Sequence, residues 1–296
     1  MKRNSSKLYT LQQALYTLPI ALALAVTSRP LLAECSICTN EPPKQILEML
    51  IKQTDSDYLT QSPQNLIMMS ENAAYFSAEE GEELFHEKRG PKKASLKSCD
   101  FGKGPGVLKG AYAEMPRYFA DTDRVMDLES RLVHCMKTIQ GFTNSDKAIK
   151  KRHGSGSDMM KLQTYIASQS NGYEWNPPLD HTLEKAMRDA GEVLFYRRAG
   201  MLDFSCNTCH GETGKRVRAS VLPNMNRPEE WTKAISWPAV RVGQHNNRSS
   251  LHRVRGCYWQ MRQGRIAKGS DALIALISFW TDAARDQPAI LPDLKR

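Results

Sequence analysis

The amino-acid sequence is written twice. Gly81-Glu82-Glu83-Leu84-Phe85 returns as Gly191-Glu192-Val193-Leu194-Phe195, and each run leads through basic residues to a glycine, Gly90 or Gly200. Each copy then reaches a Ser-Cys pair, Ser98-Cys99 and Ser205-Cys206. Each continues to an Arg-x-x-x-Cys, Arg131 to Cys135 and Arg253 to Cys257, and closes on an apolar segment, Leu162 to Tyr165 and Leu276 to Phe279. Four correspondences in one order imply two copies of one domain, so the fold must be one that a segment of little more than a hundred residues can complete.

The segments between these landmarks read as helices. Asp180 precedes a helix expected over 181–199 that Gly200 stops. Ser249 or Ser250 starts one that runs through 263. Met159 to Ser168 is a third, and Ser270 caps a last one carrying Leu273, Leu276, Ile277 and Trp280 at helical spacing. Strand signals are weak throughout, and Asn144 to Ser157, with four basic residues and two glycines, reads as a flexible loop.

The second copy contains Cys206-Asn-Thr-Cys209-His210, the attachment signature of a covalent haem. Two thiols one helical turn apart can add to the two vinyl groups, and the adjacent imidazole then faces the iron as proximal ligand. A zinc site would lack its fourth ligand here. The order helix, haem motif, loop, final helix is that of a cytochrome c domain. The first copy has Cys99-Asp-Phe-Gly-Lys103 in the same place, without the second thiol or the imidazole. The expected fold is therefore mainly α, two tandem cytochrome c-like domains, 75–175 without haem and 176–296 with one haem c. Cys99 and Cys135, which stands at the position equivalent to Cys257, are expected to form a disulfide where a cofactor once sat.

The N-terminus has the marks of an export signal. Lys2, Arg3 and Lys7 precede the apolar run Leu15 to Val26, and Ala33 offers a cleavage point. Residues 1–33 are read as a signal peptide and 34–74 as an N-terminal extension with one helix over 44–52. The run is short for a membrane span, and no later segment is apolar enough, so a periplasmic protein not embedded in a membrane is expected. The formal charge is +9, of which Lys2, Arg3, Lys7 and Arg29 carry four unopposed by any acid before position 34. What remains is no nucleic-acid footprint. In an oxidising compartment the seven cysteines are an odd number. With 206 and 209 on haem and 99 paired with 135, Cys257 stands alone beside Cys35 and Cys38, which have no histidine after them and bind no haem.

The distal ligand to the haem iron has five candidates: Met225, Met261, His245, His252 and Cys257. A methionine, Met225 first, would make an ordinary electron carrier of the chain. Cys257 is the sharper candidate, because Arg253 lies one turn earlier on the same helix face. Residues 241–265 hold six arginines and no acid, which suits either gathering an anionic substrate or docking a partner. For Arg253 the substrate role is the better reading.

Tyr112-Ala-Glu-Met-Pro-Arg117, Leu128-Glu-Ser-Arg131 with Cys135, the Cys206–His210 motif and Arg253-Val-Arg-Gly-Cys257 together carry a resemblance. Over about 75–296 the chain resembles the SoxA family, the cytochrome subunit of the thiosulfate-oxidising L-cysteine S-thiosulfotransferase. The resemblance implies that thiosulfate is coupled oxidatively to a cysteine of a SoxYZ-like carrier protein, with electrons passing to a small monohaem SoxX-like cytochrome subunit. It implies Cys206 and Cys209 on haem, and His210 and Cys257 as axial ligands. Cys257 would be modified to a persulfide that bears the sulfur, and Arg253 would bind substrate. It also brings Arg285 near the site by a loose match. With one haem motif the chain resembles the one-haem type.

Overall fold

The computed structural model describes residues 62–295, apart from 155, 218–219 and 242–245, with side chains from Ala74 onward. The expected leader, the helix at 44–52, Cys35, Cys38 and His245 lie outside the described residues. Helices are α1 (Ser62–His86), α2 (Leu128–Thr138), α3 (Lys147–Lys150), α4 (Asp158–Ser168) and α5 (Thr182–Tyr196). They continue with α6 (Cys206–His210), α7 (Pro228–Ile235), α8 (Ser250–Gln260) and α9 (Asp271–Ala283). No helix among the described residues is long and apolar enough to cross a membrane.

Two helix crossings organise the chain, and a glycine sits at each. A Cβ on Gly81 of α1 would fall 2.1 Å from the Lys161 carbonyl oxygen of α4, with Tyr165 Cβ beyond it. A Cβ on Gly191 of α5 would fall 2.0 Å from the Ala275 carbonyl oxygen of α9, with Phe279 Cβ beyond it. The repeated glycine is thus the point where two backbones touch, which no larger residue permits. The same bend follows each first helix. Arg89 bridges Ala94 and Ala199 bridges Phe204, with left-handed backbone at Gly90 and Lys93 in one and Gly200 and Asp203 in the other. That bend ends α5 at Tyr196, short of the expected 199.

Each crossing has its own core. Phe85, Leu96, Phe101, Leu132, Met136 and Leu162 fill the first, and Phe195, Trp231, Leu251, Val254, Leu276 and Phe279 the second. Between them Tyr112 Oη donates to the Trp237 carbonyl at 2.5 Å, the Tyr118 amide to Glu184 at 2.8 Å and Asn247 Nδ2 to Thr164 at 2.6 Å. α1 runs unbroken across position 74, where the sequence puts the end of the extension.

Two sequence expectations need correction. The stretch 144–157 is built rather than loose: it contains α3, whose Ile149 is buried, while Arg152 and His153 both reach Glu129. Strands are also present, though each spans only two or three residues, too few for alternation to register in a sequence. β1 (Arg117–Phe119) pairs with β2 (Arg124–Met126), and β3 (Arg216–Val217) with β4 (Ser220–Val221). β5 (Ala239–Arg241) lies between antiparallel β6 (Asn246–Arg248) and parallel β7 (Asp293–Lys295). That last sheet forms one side of the functional cavity.

Candidate functional site

The site is built on α6, a single turn made by Cys206-Asn-Thr-Cys209-His210. Ser205 starts it with a reciprocal cap: its side chain accepts from the Thr208 amide, and the Thr208 hydroxyl accepts from the Ser205 amide. The turn brings Cys206, Cys209 and His210 to one apolar cavity with Leu222, Met261 and Trp280. It adjoins a larger cavity of about 870 Å³ reached by His210, Arg253, Cys257 and Trp280 alike.

His210 is fixed at both ends. Its Nδ1 lies 2.9 Å from the Pro223 carbonyl, and its ring meets Trp231 edge to face at 5.3 Å. Trp231 is held by its own Nε1–H, which donates to the Trp280 carbonyl at 2.8 Å. With Nδ1 donating to the carbonyl, Nε2 carries the lone pair and is the ring atom left for a metal. Burial, helped by the Arg253 charge, lowers the His210 pKa, so the imidazole is neutral at pH 7 as a ligand must be. Burial pushes the Cys206 thiol up to about 12, with the nearby Cys257 as the next cause, and raises Cys209 for the same two reasons.

These residues fit a haem c. A cavity of this size is in the range of cofactor sites. The two thiols and the imidazole share its wall with the apolar Val217, Leu222 and Met261, with Arg253, Cys257 and Gln260, and with Trp280, whose buried Nε1 has no hydrogen-bond partner.

Of the four candidates for the second axial position among the described residues, Met225, Met261, His252 and Cys257, two reach the inner cavity: Cys257 and Met261. Met225 donates its amide to the His210 carbonyl, but its side chain is packed in the second core and lines neither cavity. His252 lies near Arg248, Lys268, His153 and Glu129, away from both cavities.

Cys257 and Arg253 stand one turn apart on α8, and both line both cavities. The six arginines do not act as a block. Arg255 donates to the Ile266 carbonyl, and Arg262 lies over the Trp259 ring at 5.0 Å. Arg241 and Arg253 face the larger cavity. Arg285 does not: it is tied to Asp282, Asn176 and the Pro177 carbonyl. The sequence reading missed the C-terminal strand, whose Asp293, Leu294 and Lys295 form part of the cavity wall. It also missed Trp280 as anything more than a core residue, since helical spacing alone cannot separate the two roles.

The first half shows the same frame with other contents. Cys99 and Cys135 are joined by a disulfide, S–S 2.03 Å, and Phe101 is wholly buried beside them. Arg131, the counterpart of Arg253, is buried and engaged: its Nε donates to the Asp100 carbonyl at 2.6 Å, Nη1 to both Asp121 oxygens at 2.7 Å, and its guanidinium stacks on Phe119.

Known proteins match this chain along both halves. The family model described as SoxA/TsdA, cytochrome c domain, matches residues 80–175. The L-cysteine S-thiosulfotransferase subunit SoxA of Hydrogenophilus thermoluteolus is 41% identical over 76% of this chain and 83% of that protein. The subunit of the same name from Hydrogenobacter thermophilus is 36% identical over 62% of this chain and 69% of its own. Among solved structures, a chain of the crystal structure of SoxXA from P. pantotrophus superposes with a TM-score of 0.63 at 22% identity, covering 76% of this chain and 79% of that one.

Proposed function

Because the chain belongs to the SoxA family, cytochrome c subunits of the L-cysteine S-thiosulfotransferase of thiosulfate oxidation, we propose that one haem c is attached at Cys206 and Cys209. His210 and Cys257 would hold its iron, Cys257 would bear the transferred sulfur as a persulfide, and Arg253 would bind thiosulfate. The chain is read as two tandem cytochrome c-like domains, 75–175 without haem and 176–296 with one, exported to the periplasm by residues 1–33. The observation that carries the reading is the meeting of Cys257, Arg253 and His210 at one cavity.

The overall reaction joins thiosulfate to the thiol of a SoxYZ-like carrier. An S–S bond forms between the outer sulfur and the carrier cysteine, giving a cysteine S-thiosulfonate, with release of one proton and two electrons. The bound haem supplies a one-electron acceptor, so a second acceptor is needed, and a SoxX-like cytochrome subunit fills that place. Arg253 holds the sulfonate by paired hydrogen bonds, which aims the outer sulfur at Cys257 one turn along α8. Trp231 and Pro223 keep the His210 ring from turning. The carrier cysteine enters through the larger cavity, whose wall includes β7 and residues of β3 and β4.

The test is the intact mass of the exported holoprotein before and after cyanide. The expected result is chain plus one haem plus one additional sulfur, removed by cyanide and mapped to Cys257. A haem spectrum of methionine ligation in the same sample would overturn the assignment and leave an electron carrier.

A further inference from the structure

The proposed reading gives the substrate one arginine, yet two stand free at the cavity. Arg253 comes from α8 and Arg241 from the end of β5, the central strand of its sheet. Neither side chain forms a hydrogen bond or ion pair among the described residues; Lys233, the other cation of the wall without such a partner, is exposed to solvent. Lys295 pairs with Asp293 at 2.5 Å, and Glu230 takes the Asn224 amide and Arg227. Arg241 also carries a buried Nε–H with no acceptor. A buried guanidinium donor without a partner costs about 1–3 kcal/mol, and the two cations repel, since Arg253 is among the groups that disfavour the charge on Arg241. Two unpaired guanidiniums from separate elements, facing one space beside a thiol, form a clamp that only an anion between them relieves.

We propose that Arg241 is a second substrate-binding residue, which with Arg253 clamps the sulfonate of thiosulfate from the opposite element. Arg253 and Cys257 share a helix, so Arg253 alone fixes one edge of the anion and leaves it free to pivot. A second fork from β5 removes that freedom and sets which sulfur faces Cys257. The clamp also reads shape: a tetrahedral sulfonate offers three oxygens to two forks, which a monoanionic thiol or sulfide lacks. The inference rests on the proposed role of Cys257 and Arg253, and its test separates the two.

The experiment uses the haem-loaded protein with its partner cytochrome and carrier. Arg241→Gln is compared with Arg241→Lys. The expected result is a rise of about tenfold or more in KM for thiosulfate with Arg241→Gln, partly recovered by Arg241→Lys. The haem spectrum, midpoint potential and cyanide-labile sulfur on Cys257 are expected to be unchanged. An unchanged KM overturns the proposal; a shifted potential beside it would mean that the guanidinium holds a haem carboxylate instead. Loss of the cyanide-labile sulfur from the unsubstituted protein would strike the Cys257 reading, not the clamp. Should the variants fail to fold, arginine labelling of the unsubstituted holoprotein by phenylglyoxal decides. Thiosulfate is expected to shield Arg241 along with Arg253, and shielding of Arg253 alone overturns the clamp.

Discussion

Arg131 and Arg253 occupy one position of the repeat and have opposite fates. Arg131 is buried and spent on Asp121, the Asp100 carbonyl and Phe119. Arg253 has no such partners and faces a cavity. The same residue is structural in one copy and available in the other, so identity within a repeat does not reveal role. Arg253→Ala is expected to raise KM for thiosulfate at least tenfold, as loss of a charge-assisted contact does, while the haem spectrum stays unchanged; steady-state kinetics with the carrier check this. His252 gives a pH dependence. Burial first, then the Arg248 and Lys268 charges, lower its pKa to about 4. A histidine lowered below its ordinary value of about 6.5 stabilises the fold fully above that value. That contribution falls away as pH drops from about 6.5 toward 4. Urea midpoints measured at pH 7 and pH 5 should therefore fall less in His252→Asn than in the unsubstituted protein.

At the scale of elements, the two crossing glycines make the sharpest forecast. Gly191→Ala places a methyl 2.0 Å from a carbonyl oxygen, which forces α5 and α9 apart at a cost of about 3 kcal/mol. Gly256→Ala on α8 meets nothing within 4 Å and should gain up to about 1 kcal/mol from helix propensity; chemical denaturation of the two variants checks the contrast. These elements also show what a sequence gives away. The helices at 158–168, 182–196 and 271–283 were legible because cap residues and apolar spacing agree over ten or more residues. The short strands were not, and neither was α3, whose one buried side chain, Ile149, is outweighed locally by lysines. At the site, Cys206, Cys209, His210, Arg253 and Cys257 announce themselves through spacing. The free state of Arg241 does not, because it depends on which residues fail to reach it. The C-terminal strand joins the cavity through a parallel pairing with β5 that no local signal marks.

For the whole molecule, the difference between the halves lies in what completes each core. The first is closed by its own residues: Phe101 and the Cys99–Cys135 pair sit where the second half has the haem motif and its cavity. In a Cys206→Ser, Cys209→Ser variant, limited proteolysis is expected to cut within 176–296 while a fragment ending near 175 resists. Equal resistance of both halves would show that the second core closes without its cofactor. A closed first core also bears on how the protein is made. Synthesised first, that half has a core closed by its own residues and the Cys99–Cys135 disulfide. The later half must be kept open until a cofactor has been ligated to it. The first half thus has the character of a scaffold that is finished early, beside which the second is completed.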